Sequence, residues 1–156
     1  MSPRAAWRLA SLGYDAYDYV AGEADWLAYG LPYEGFAVLA GQALTTSVPT
    51  CSFRDRLGDV RDGLQTSPFG MLVALNQEGV VMGRLDREAL ATANDDGVTV
   101  DRVMREGPTT VRPSEELAPL VERMRRADVN AVLVTGSDGR LLGLLERQRG
   151  QAHLED

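Results

Sequence analysis

The sequence predicts an α+β fold: two similar βαββα halves packed with pseudo-twofold symmetry, preceded by a short α-β-α appendage. Three observations lead there. A gapless internal repeat joins Thr50–Arg87 to Thr110–Arg147, sixty residues further on. Each half switches from a helical to a strand-like apolar pattern at the same place. The composition, 44% hydrophobic and 25% charged over 156 residues, is that of a globular protein of one ordinary domain or two small ones.

Identities in the repeat fall on structurally demanding positions. Thr50 meets Thr110, Leu57 meets Leu117, Gly79 meets Gly139, Gly83 meets Gly143, Leu85 meets Leu145 and Arg87 meets Arg147. Conservative pairs fill the gaps, among them Val60/Leu120, Leu64/Met124, Val73/Leu133 and Asp86/Glu146. Each copy opens on an extended piece, "SVPTCS" or "GPTTVR". A helix follows. In the second copy Ser114 reads as its N-cap, with Glu115 and Glu116 near the positive helix end. Leu117, Leu120, Val121 and Met124 then recur at i, i+3, i+4 and i+7. The first copy carries Leu57, Val60 and Leu64 on one face. Two strands come next, "MLVAL" then "VVMGRL" and "AVLVT" then "RLLGLL", joined by turns in which Gly79 and Gly139 suit a positive φ. A closing helix is predicted at 86–93 and is less marked after Glu146, so 151–156 reads as a frayed tail.

Several function classes are excluded at the outset. The net charge of −7 opposes binding to phosphate backbones and argues against nucleic acid as a partner. All 16 basic residues are Arg, which removes a catalytic lysine, a Schiff base and a Walker-type lysine. The single His, at 153, and the single Cys, at 51, leave no His-based triad, metal cluster or internal disulfide. Neither a secretory signal nor an apolar run near the roughly 20 residues of a membrane span is evident, so no membrane association and a cytoplasmic location are expected. No catalytic residue and no metal ligand is assigned.

The repeat, and above all "GPTTVRPSEELAPLVERMRRADVNAVLVTGSDGRLLGLL" (Gly107–Leu145) with its lead-in "VDRVMREGPTTV", resembles the tandem CBS domain pair, or Bateman module. The resemblance covers about Ser47 to Arg149. It implies copies at 47–95 and 96–150, a linker at 36–46, two inter-copy clefts, and a disc-shaped homodimer. It also implies a non-catalytic sensor, with an adenine nucleotide or S-adenosylmethionine as the ligand class. One copy alone is too small to bury an adequate core.

The family's ligand motif places Gly, two apolar residues and Thr or Ser after the last strand, then an Asp three residues on for the ribose hydroxyls. This chain departs from it. "GRLDREAL" offers Gly83 but puts Asp86 at the hydroxyl position and Ala89 at the Asp position. "GLLERQRG" offers Gly143, with Glu146 and Arg149 in those places. Acids at both hydroxyl positions would repel phosphate and suit a cationic or neutral molecule. Thr50 and Thr110 fit positions near the ligand, or are strand-edge hydroxyls bonded locally. Arg87 and Arg147 fit an anionic ligand, a pairing with Asp86 and Glu146, or plain surface charge. The expected ligand residues are therefore Thr50, Gly83, Asp86, Arg87, Thr110, Gly143, Glu146 and Arg147.

Residues 1–35 resemble a different family. "SPRAAWRLASLGYDAYDYVAGEADWLAYGLPYEG" (Ser2–Gly35) is similar to the C-terminal third of a rhodanese domain. A helix is expected at Pro3–Leu12, a strand at Ala16–Val20, a turn at Ala21–Gly22, and a helix at Ala24–Tyr29 with Trp26, closed by Leu31–Pro32. In that family the sulfur-carrying Cys precedes the first of these helices; Cys51 lies elsewhere and reads as a small apolar residue. Trp7, Tyr17, Tyr19 and Trp26 need cover that one strand cannot give. Two readings stay open: an appendage docked on the module or on a partner subunit, or the end of a sulfurtransferase whose regulatory tail is the CBS pair and whose true start lies upstream. A structural dimer with empty clefts is a further alternative.

Overall fold

Strand pairing carries the repeat into three dimensions. The computed structural model describes residues 3–17, 22, 26, 35, 37–93 and 95–155. In the first copy β1 (Thr50–Ser52) runs parallel to β2 (Met71–Leu75), with α2 (Leu57–Thr66) as the crossover that parallel strands need. β2 pairs antiparallel with β3 (Val81–Asp86), and α3 (Arg87–Thr92) follows. The second copy repeats this with β5 (Thr110–Val111), α4 (Leu117–Arg126), β6 (Ala131–Thr135), β7 (Leu141–Glu146) and α5 (Arg147–Glu155). A short β4 (Arg105–Glu106) adds a fourth strand to the first sheet.

Register repeats residue for residue. Thr50 faces Val73 as Thr110 faces Leu133, and Met71 faces Asp86 as Ala131 faces Glu146. Even the irregularity between Ala74 and Leu75 recurs between Val134 and Thr135. Gly79 and Gly139 both take positive φ, +80° and +82°, which closes the two hairpins at low cost.

The helical stripes form the core. Leu57, Val60 and Leu64 are buried in the first copy, and Leu117, Leu120, Val121 and Met124 in the second. A third cluster, centred on Val73, Leu133 and Leu144, joins the copies. Beside it Val81 N donates to Gly139 O and Leu141 N donates to Gly79 O, each at 3.1 Å. These two bonds exchange under the sixty-residue offset, so they mark the pseudo-twofold axis.

Residues 37–46, expected as a linker, pack into the second copy. Ala40 and Ala43 are fully buried among Leu117, Leu120, Val134 and Leu145. Leu117 N donates to Val38 O, Ala40 N to Glu115 O and Gly41 N to Pro113 O. Sixty residues on, Leu57 N donates to Val98 O, Val100 N to Asp55 O and Asp101 N to Phe53 O. The segment ahead of each copy thus covers the helix start of the other copy. That exchange explains one difference from the sequence reading: α4 begins at Leu117, with Glu116 rather than Ser114 as N-cap and no capping side chain. The orphan N–H of the first turn is met by another stretch of backbone.

Two further details differ from expectation. The C-terminal residues are helical to Glu155, because Gly150 lets α5 pack close on α4; a Cβ there would lie 2.8 Å from Val121 Cγ2. At the other end α1 spans Pro3–Ser11 and Gly13 follows at φ +85°. Ala16 and Tyr17, the first residues of the predicted strand, are not in a strand, and Trp7 and Tyr17 are exposed. Residues 18–21, 23–25, 27–34 and 36, which carry the rest of the predicted strand, turn, second helix and closing Leu31–Pro32, lie outside the described residues.

Candidate functional site: two clefts beside the inter-copy junction

Gly83 and Gly143 sit where the exchanged segments cross the sheets. A Cβ on Gly143 would lie 2.8 Å from Thr45 O, and one on Gly83 would lie 2.8 Å from Arg105 O. Close backbone approach requires glycine at both positions. Thr45 and Leu144 exchange two backbone hydrogen bonds at that crossing, as β3 and β4 pair in the first copy.

The acids at the motif's hydroxyl positions have partners. Asp86 Oδ1 accepts from Ala89 N at 2.9 Å and so caps α3. Its Oδ2 lies 2.9 Å from Arg105 Nε. Glu146 accepts from Thr45 Oγ1 at 3.3 Å, the symmetry-related contact. Arg87 donates to the carbonyls of Gln65 and Ser67 at the end of α2. Arg147 donates to Asn130 Oδ1 and lies near Asp128 beyond the end of α4. Each arginine therefore ties its hairpin's last strand to the helix of its own copy.

Two clefts open beside these contacts. The larger, about 570 Å³, runs from Met71, Arg84 and Arg105 of one sheet to Thr109, Arg123 and Leu133 of the other copy. The smaller, about 470 Å³, is lined by Thr50, Cys51, Asp55, Asp59 and Ser67 among others. Of the eight residues expected from sequence, Thr50 alone lines a cleft; Thr110 is flanked by two residues, Thr109 and Val111, that line the larger. Arg84, Arg105, Glu106 and Arg123 line the larger cleft and were not singled out as ligand residues. Their sequence signal is a difference between copies, not an identity, and a search for repeated residues passes over it.

Ionisation follows local structure. Burial pushes the half-buried Cys51 thiol up to about 11, and the nearby Asp55 adds to this. It is a neutral thiol at neutral pH, the opposite of the thiolate that sulfur transfer needs. On the outer face of α4, hydrogen bonds from Arg125 and Arg126 hold Glu122 down at about 2. Among the described residues no cluster of His, Cys, Asp and Glu could hold a metal ion. None of the described helices is long and apolar enough to cross a membrane.

The class of fold is thereby defined: residues 100–149 match the family model for the CBS domain. Over about three quarters of its length (74% against the first of the solved structures below) the chain has the α+β fold of CBS pairs. It is similar to the CBS domains of a transcriptional regulator from Streptococcus pneumoniae, at 22% identity over 74% of this chain and 98% of that one, with a TM-score of 0.65. It is similar to a CBS domain pair solved with methylthioadenosine and S-adenosyl-L-methionine, at 15% identity, 77% and 98% coverage and a TM-score of 0.61. CBSX2, solved with AMP, matches at 19% identity, 78% and 98% coverage and a TM-score of 0.64. No curated protein matches the sequence.

Proposed function

We propose that this chain is a non-catalytic, regulatory CBS-pair module that senses a small molecule in the larger cleft and works as a cytoplasmic homodimer. The observation that carries the reading is the 570 Å³ cleft lined by both copies, with an apolar floor and a charged rim. A ligand there touches both halves, so it favours one relative placement of them over another, which is what a sensor requires. Neighbours of this fold solved with AMP and with S-adenosyl-L-methionine support an adenosine-type ligand class. The absence of the ribose carboxylates, with Ala89 and Arg149 in their places, means that any such ligand is held differently here. Calorimetric titration of the full chain with AMP, ADP, ATP, adenosine and S-adenosylmethionine tests the reading. Binding of at least one supports it; no heat and no thermal shift from any of them removes the adenosine-type ligand.

A second reading rests on residues 1–35. α1 ends just before the "LGY" stretch, where the rhodanese-like pattern expects a helix to end. If the module is the tail of a sulfurtransferase, in-frame DNA upstream of Met1 encodes strands and a Cys-containing loop. A stop codon directly upstream would eliminate that version.

A further inference from the structure

The chain holds three Asp–Gly steps: Asp62–Gly63, Asp96–Gly97 and Asp138–Gly139. At such a step glycine has no Cβ to shield its N–H, so that nitrogen can reach the aspartate Cγ and close a five-membered succinimide. Structure sets the three apart. Asp62 and Gly63 lie inside α2, whose helical geometry holds the amide in the ladder and away from the carboxyl. Gly139 N donates to Gly136 O, and the Asp138 carboxylate is held by Arg140 N at 3.0 Å and Arg140 Nε at 3.2 Å. Asp96 and Gly97 form an exposed turn. Gly97 N donates to an exposed side chain, Asp95 Oδ1, at 2.8 Å, and exchanging such a partner for water costs little. Asp96 pairs with Arg61, yet its side chain is 62% exposed.

This turn also ties the covering segment to the first copy. Asp96 O accepts from Gly58 N at 3.0 Å, in the first turn of α2, and Val98 O accepts from Leu57 N at 2.9 Å. A Cβ on Gly58 would lie 3.3 Å from Asp96 Cβ, so the two stretches are in contact. Arg61, one turn further along α2, reaches the Asp96 carboxylate. Sixty residues earlier, ahead of the second copy's helix partner Val38, stand Phe36 and Ala37, which cannot make this ring.

We propose that Asp96–Gly97 is a self-modification site: it isomerises to isoaspartate and thereby releases the covering segment from α2 in the first copy alone. Water is the only co-reactant. Gly97 N bonds to Asp96 Cγ, and the amide proton leaves with the carboxyl hydroxyl as one water. A second water opens the ring at either carbonyl. Opening at the former peptide carbonyl leaves the main chain running through Cβ and Cγ, one atom longer and unchanged in mass. The two groups have then exchanged roles. The carboxylate that met Arg61 becomes a neutral peptide group, and the carbonyl that met Gly58 N becomes a free carboxylate. Arg61 loses its counter-charge, and the lengthened turn no longer matches the orphan N–H groups at the start of α2.

The test ages the full chain for weeks at neutral pH and physiological temperature, then maps it with trypsin. The expected result is a second chromatographic form of the Glu88–Arg102 peptide, equal in mass to the first, with fragmentation placing isoaspartate at residue 96. It arises before any such form at Asp62 or Asp138. Gly97→Ala slows it at least about fivefold, because a Cβ shields the nitrogen; Gly97 has no positive φ, so the turn keeps its backbone. Asp96→Glu keeps a carboxylate for Arg61 and abolishes it, since the longer side chain cannot close the five-membered ring. Circular dichroism and melting confirm that each variant is folded, and either one suffices for the comparison. Amide exchange on the aged protein then shows a fast fraction at Leu57 and Gly58 that equals the isomerised fraction, while Leu117 stays slow. No equal-mass form, isomerisation first at Asp62, Asp95 or Asp138, an unchanged rate in Gly97→Ala, or isomerised protein that keeps Leu57 and Gly58 protected would overturn the proposal. None of these outcomes bears on ligand sensing.

Discussion

At the scale of single residues, glycine gives the sharpest evidence of how the halves interlock. Gly143 is required because Thr45 O lies where a Cβ would be. Gly143→Ala is expected to destabilise the protein by about 1–3 kcal/mol, as overpacking does. Urea denaturation measures it, and an unchanged midpoint would show that the crossing is looser than described. Glu122 makes a different point. Its carboxyl is held at about 2 by hydrogen bonds from Arg125 and Arg126. A lowered folded value means that the stabilising contribution is present above the unfolded carboxylate range and is lost as pH falls through about 2. NMR titration should find the Glu122 midpoint near 2, and replacing both arginines with glutamine should return it toward the ordinary value. Cys51, raised to about 11, should react with iodoacetamide at pH 8 far more slowly than free cysteine.

At the scale of elements, the helix starts decide what was readable from sequence and what was not. The apolar stripe Leu117, Leu120, Val121 and Met124 was legible, because helical periodicity depends only on neighbours within one element. The cap was not. Ser114 has the right chemistry at a plausible spacing, yet Leu117 N–H is taken by Val38 O, far away in sequence. Ser114→Ala should therefore change stability by no more than about 0.5 kcal/mol, whereas an N-cap serine costs about 1 kcal/mol to remove. Thermal melting separates the two. The exchanged segments left only a faint trace: Val38 matches Val98, and Ala40, Ala43 and Leu44 match the apolar Val100, Val103 and Met104. Such a trace cannot say which copy the segment covers. The helix after Glu146 was faint for a related reason, since Gly150 reads as a helix breaker until its packing against Val121 is seen.

At the scale of the whole molecule, the repeat was enough to derive two copies and their common interior, because the shared glycines and apolar positions define both sheets. The charge sidedness of the clefts was hidden for the same reason: alignment of the copies rewards likeness, and the cleft arginines are where the copies differ. The arrangement that results is a single interior completed in trans. Residues 37–46 complete the second copy and residues 98–106 the first, so neither half closes alone. The proposed homodimer predicts that light scattering on the eluting protein gives twice the 17.0 kDa chain mass. The interlocking itself is tested most directly by amide hydrogen exchange on Ala40→Asp, which buries an unpaired charge at a fully buried position of the second copy's core. Slow exchange at Leu117 and Leu144, both bonded to the 37–46 segment, should be lost together with protection across β6 and β7. If those strands keep their protection while only residues 37–46 exchange faster, the two halves are not joined in the way described here.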